Sequence, residues 1–192
     1  MGIPKIDTGP MTVEEFYAFT DARPDEEKWE LIDGEPVFNA APSNRHQLIL
    51  GNIVAALTFE ERRLSAAWRA IPGIGARISM TTRPEPDVMI LPKAVDPAGL
   101  LSRDTTDALV LFEIMSPSTA TRDLKWKRIA YTGLAALTRY VVVAQDSVDV
   151  VVFARDAGFQ ERRVNAMDQV LNFPSLGVAL ALSDIYRDTD LA

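Results

Sequence analysis

The stretch Ala108-Leu-Val-Leu-Phe-Glu113-Ile-Met115 is an almost unbroken apolar run of strand length with one carboxylate set into it. Such a run suits a strand covered on both faces, so the centre of a sheet lies here. An ionised side chain in that setting is costly to desolvate unless it is paired. Glu113 therefore demands a partner, either in a plain buried ion pair with an Arg or Lys or in a working cluster. Downstream, Ser116-Pro-Ser-Thr119 reads as a loop, residues 121–131 as a helix ended by Gly133, and residues 139–144 and 148–154 as strands. Upstream, residues 74–80 and 86–91 have extended patterns, and residues 45–69 carry Leu48, Ile49, Ile53, Ala56, Leu57 and Leu64 at the helical period.

Residues 1–11 read as a loose leader. Thr12-Val-Glu-Glu15 fits a capping box opening a short amphipathic helix to about Thr20, anchored by Phe16 and Phe19. Two extended segments flank Asp33-Gly34 between Trp29 and Phe38, a strong hairpin signal. Ser183 is placed to cap a last short helix. The expected architecture is α/β (α+β), a mixed central sheet flanked by helices, in a single domain over residues 12–192.

Composition narrows the function. With 47% hydrophobic residues the chain has material for a sizeable core, and no apolar run approaches the roughly 18 residues of a membrane span. A cytoplasmic protein with no membrane partner is expected. The absence of cysteine removes disulfides, thiolate metal sites and cysteine nucleophiles, and one histidine excludes a multi-histidine metal site. The net charge of −7 argues against coating nucleic acid by charge alone, but not against an enzyme whose acidic cluster takes up a cation.

Pro86-Asp87 and Glu113 form the most telling pair. Taken alone, Asp87 is equally well a turn residue. On adjacent strands, Asp87, Glu113 and the main-chain carbonyl of Ile114 would make a hard oxygen site suited to Mg²⁺ or Mn²⁺. On the following helix Asp123, Lys127 and Tyr131 share a face that could look into this site or form a solvated stripe. Glu30 and His46 could point inward, although a lone Glu in a hairpin is more often solvent-facing and a lone His more often caps or packs. Gly-rich phosphate loops, nucleophile elbows and H-E-x-x-H are absent from the sequence.

Trp29-Glu30-Leu-Ile-Asp33-Gly34-Glu35, His46, Pro86-Asp87-Val88, Phe112-Glu113-Ile-Met-Ser116-Pro117-Ser118-Thr119, then Asp123, Lys127, Tyr131 and Tyr140-Val-Val-Val together resemble the bacterial Uma-two family of restriction-endonuclease-like proteins. The resemblance runs from about Thr12 to Tyr186. It implies the fold of the PD-(D/E)XK nuclease superfamily and cleavage of phosphodiesters, in DNA before RNA, with a divalent metal. By position, Asp87 and Glu113 resemble the two acidic ligands, and Glu30 the acidic residue preceding the core motif. The superfamily lysine position is Met115 here, and Lys127 resembles a migrated substitute, with Lys125 and Arg128 as lesser stand-ins. His46, Asp123 and Tyr131 are then supporting residues.

The competing expectations are a nuclease, a catalytically silent nucleic-acid-binding or interaction module of the same fold, and a hydrolase of smaller phosphoesters. Cutting both strands of a duplex would suit a homodimer. A cleft-facing Lys127 is expected to add little to stability, so that Lys127→Met would leave the melting temperature nearly unchanged.

Overall fold

The computed structural model describes residues 9–93, 101–116 and 122–192, with Arg122 and Asp123 described in backbone only. Helix α1 (Val13–Asp21) starts at Thr12 with the full reciprocal capping box to Glu15. Strands β1 (Lys28–Ile32) and β2 (Glu35–Asn39) form the hairpin around Asp33-Gly34, and both turn residues have positive φ (51° and 81°), as a tight hairpin turn requires. Most of the expected leader lies outside the described residues, but its end is fastened: the Met11 N–H donates to the Gly34 carbonyl at 2.9 Å.

Helix α2 (Asn44–Arg63) buries Ile49, Ile53 and Leu57, the apolar face read from the period. It stops six residues before the expected end. Ser65 turns left-handed (φ 48°), and β3 (Trp68–Pro72) follows. Ser65 is neither Gly nor Asn, so the usual stop signal is missing from the sequence.

The central sheet continues with β5 (Val88–Pro92), β7 (Val110–Met115), β8 (Arg139–Ala144), β9 (Val150–Ala154) and β10 (Glu161–Val164). Its order is β10-β9-β8-β7-β5-β3, with β7 and β8 parallel and the other pairs antiparallel. This is the expected mixed sheet in an α+β architecture. The strand expected at residues 74–80 is only β4 (Gly75–Ala76), paired with β6 (Asp104–Thr105), before the chain folds through an isolated Ser79–Thr82 bridge.

β7 sits centrally, buried from Val110 to Ile114. Its even-numbered side chains pack with α2 and with the hairpin of β11 (Val170–Phe173) and β12 (Val178–Ala181). Leu111, on the other face, packs with Tyr131, Leu134 and Tyr140. Alternation thus sends Glu113 to the face of the helix that follows β7.

That helix is not uniform. Arg122–Lys127 is π-helical and runs into α3 (Arg128–Thr132), whereas the sequence suggested one continuous α-helix. The last helix, α4 (Leu182–Ile185), starts from Ala181 without a side-chain cap, so Ser183 lies inside it and does not cap it. Among the described residues no helix is long and apolar enough to cross a membrane.

Candidate active site

The β5–β7 register pairs Val88 with Phe112, so Asp87, one residue earlier, falls opposite Glu113, one residue later. Residues opposite each other in an antiparallel pair project to the same face. Asp87 lies just past the end of that ladder, where the Ile114 N–H has no β5 carbonyl to meet. It donates instead to Asp87 Oδ2 at 2.6 Å. The neighbouring Met115 carbonyl accepts from Gln145 at the β8 edge. The Ile114 N–H thus lies on the β5 edge of β7, the edge on which a regular strand also carries that residue's carbonyl.

Glu113 finds its partner in Lys127. The Lys127 Nζ lies 2.8 Å from Glu113 Oε1 and 2.9 Å from Glu30 Oε1, and the Tyr131 hydroxyl donates to Glu113 Oε1 at 2.7 Å. All four groups are withdrawn from solvent: Glu30 and Tyr131 are 0% exposed, Lys127 2% and Glu113 5%. The four-residue spacing of Lys127 and Tyr131 brings both onto one carboxylate. The alternative in which Lys127 belongs to a solvated stripe is corrected by this burial. Lys125 is exposed, and the Arg128 guanidinium lies 5.3 Å from the Phe153 ring centroid, so Lys127 alone of the three takes this position. The Asp123 side chain lies outside the described residues, as do residues 117–121.

Glu30 is fully buried, not solvent-facing. The Leu31–Arg83 bridge docks β1 on the segment before β5, and the Glu85 N–H donates to Glu30 Oε1 at 2.8 Å. Burial pushes the Glu30 carboxyl upward, but the Lys127 ammonium and hydrogen bonds from Lys127, the Glu85 amide and Asn39 outweigh it and hold Glu30 below its ordinary value. Tyr131 is pushed well above its ordinary value by burial, then by the charges of Glu113 and Glu30, so its hydroxyl stays a donor. Glu85 and Arg83, whose guanidinium pairs with Glu85 at 2.7 Å, were not singled out from sequence. Their only signal was proximity to Asp87 in Arg83-Pro-Glu-Pro-Asp87.

His46, at the third position of α2, lies with Nε2 3.2 Å from Asp87 Oδ1. Glu30, His46, Asp87, Glu113 and Lys127 all line one cleft of about 850 Å³. Among the described residues no three carboxylate or imidazole side chains gather into a ready-made cage. Two carboxylates and a main-chain carbonyl nevertheless fit Mg²⁺, which usually keeps several waters and takes one or two protein carboxylates.

The sequence profile of the Uma2 family, described as "Putative restriction endonuclease", matches residues 13–183. Among solved structures, a "putative nuclease belonging to DUF820" from Anabaena variabilis ATCC 29413 superposes with a TM-score of 0.76 at 16% identity, covering 92% of this chain and 98% of that one. At that identity the likeness speaks for the fold. Among curated proteins none matches. The central mixed sheet and a match spanning nearly the whole chain lead to one conclusion: this protein belongs to the Uma2 family and has the fold of a restriction-endonuclease-like nuclease.

Proposed function

We propose that the chain is a divalent-metal-dependent endonuclease that hydrolyses phosphodiester bonds, with DNA as its substrate before RNA. The observation that carries this reading is the convergence of Asp87, Glu113, Glu30 and Lys127 on one cleft from four separate parts of the chain. A fold with no chemistry to perform gains little from burying several acids together.

Asp87, Glu113 and the Ile114 carbonyl are the residues that would hold Mg²⁺ or Mn²⁺. Such a cation supplies Lewis acidity toward water and the scissile phosphate. Lys127 brings a positive charge to the same place, where negative charge grows on the phosphate in the transition state. Glu30 and Glu113 fix the ammonium from two sides, so it need not be ordered during the reaction. Tyr131 restrains Glu113 by occupying Oε1.

The test is cleavage of supercoiled plasmid, linear duplex, single-stranded DNA and RNA with Mg²⁺, with Mn²⁺ and with a chelator. Cleavage that requires the metal and disappears in Asp87→Asn and Glu113→Gln is the expected result. Binding without cleavage under every condition would replace this reading with the silent nucleic-acid-binding module.

A further inference from the structure

We infer that His46 is a positioning residue that fixes the Asp87 carboxylate for cation binding, an inference that rests on the proposed reading of the cleft. Asp87 has a neighbour at each oxygen: the Ile114 amide donates to Oδ2 at 2.6 Å, and His46 Nε2 stands 3.2 Å from Oδ1, within ion-pair distance. The amide belongs to the sheet and the imidazole to α2, so two independent elements meet the carboxylate. Asp87 needs this because it lies beyond the β5 ladder, where strand pairing no longer restrains it.

This role also requires one imidazole tautomer. A carboxylate only accepts, so an imidazole that orients Asp87 carries a proton on Nε2. His46 Nδ1 is buried and has no hydrogen-bond partner among the described residues. In the neutral ring a proton on Nε2 leaves the lone pair on Nδ1. The backbone that carries the ring is fastened. Ser43 caps α2, its Oγ accepting the His46 amide at 3.1 Å while donating to Gln145 Oε1 at 2.8 Å. The cap thus ties the turn that carries His46 to the end of β8. The first turn of α2 holds no acidic residue that would compete for the imidazole.

Outer partners that orient a ligating carboxylate typically govern metal affinity by about ten- to a hundredfold. The chain has a single histidine, so the imidazole signals in a ¹⁵N NMR spectrum of the metal-free protein are His46's without further assignment. The expected spectrum has the proton on Nε2 and a bare Nδ1, with the Nε2 signal moving in Asp87→Asn. A bare Nε2, with the proton on Nδ1 alone, overturns the inference.

Calorimetric titration with Mn²⁺ is the second readout. His46→Ala should bind roughly ten- to a hundredfold more weakly. His46→Gln, whose amide nitrogen reaches the Nε2 position, should restore binding, and His46→Asn, whose nitrogen stops at the Nδ1 position, should not. A role in packing alone would not separate Gln from Asn in this order. The Gln and Asn pair carries the comparison if the alanine variant fails to fold. Equal Mn²⁺ affinity in wild type and folded variants overturns the inference and spares the nuclease reading. A wild type with the expected tautomer that takes up no Mn²⁺ overturns the cation reading and supports only the orientation of Asp87.

Discussion

Lys127 carries one positive charge into a pocket that already holds two carboxylates, and all three are nearly inaccessible to water. Removing the cation leaves Glu30 and Glu113 buried without it, a situation that typically costs about 3–5 kcal/mol. Lys127→Met should therefore lower the urea midpoint strongly as well as abolish cleavage, and an unchanged midpoint would show that the ion-pair triad contributes nothing. This reverses the expectation drawn from a cleft-facing lysine, because an exposed ammonium keeps its water and a buried one does not. Tyr131→Phe keeps the ring against Tyr140 but deletes a hydrogen bond to a charged acceptor, which should cost about 1.5–3 kcal/mol in the same measurement. Glu30 adds a pH signature. Its folded value lies below its ordinary one, so its contribution is present above about pH 4.5 and fades as pH falls through the folded value. Glu30→Gln should flatten the acid limb of a stability-against-pH curve, and an unaltered limb would count against the ion pair.

Among the elements, the β1–β2 hairpin and the π-helical turn decide where the site's charges arrive. The hairpin holds Glu30 by strand pairing, while its turn is pinned to the N-terminal segment. At Gly34 a Cβ would lie 2.5 Å from Pro10 Cβ and 2.9 Å from the Met11 nitrogen, in a backbone with φ +81°. Gly34→Ala is thus both strained and crowded, and should cost more than about 1 kcal/mol by chemical denaturation. A neutral outcome would mean that residues 10 and 11 do not hold the turn. The π-helical segment Arg122–Lys127 ends at the catalytic candidate itself. Single π turns inside helices recur at functional sites, where one wide turn re-aims the side chains beyond it. Here the side chains at the junction are Lys127 and, one α turn later, Tyr131, and both reach Glu113.

For the whole molecule, the proposed cation and the fold are thermodynamically linked. A ligand bound only by the folded state at a hundred times its Kd adds about 2.7 kcal/mol, and for a chain of this size each kcal/mol is worth about 2–4 °C. Saturating Mn²⁺ should accordingly raise the melting temperature by roughly 5–10 °C in wild type and leave Asp87→Asn almost unmoved. Equal shifts in both proteins would place the binding elsewhere. At the alkaline end, burial pushes the Tyr186 hydroxyl above its ordinary value near 10, so its contribution is intact below that pH and is lost as pH rises past it. Tyr186 bonds the Ala144 and Asp149 carbonyls, tying the C-terminal segment to the turn between β8 and β9. Tyr186→Phe should weaken the loss of stability above pH 10, as followed by circular dichroism.

The sequence by itself determined the buried strand around Glu113, the capped first helix and the Asp33-Gly34 hairpin. Each is local or periodic: a capping box, a two-residue turn and an apolar run act over a few neighbours and leave their mark in order along the chain. Where α2 stops is not of that kind, because Ser65 takes a left-handed conformation no residue type there announces, and Trp68 is drawn into β3 and against Leu176 from far along the chain. The short strands β10, β11 and β12 were equally hidden, since their patterns span only four residues each. Only the tertiary structure decided that Glu30 faces Lys127, that His46 reaches Asp87 and that Glu85 closes the hairpin onto the site. These contacts join segments tens of residues apart, and desolvation, which makes each charge need its partner, exists only once the sheet and its covering helices have assembled.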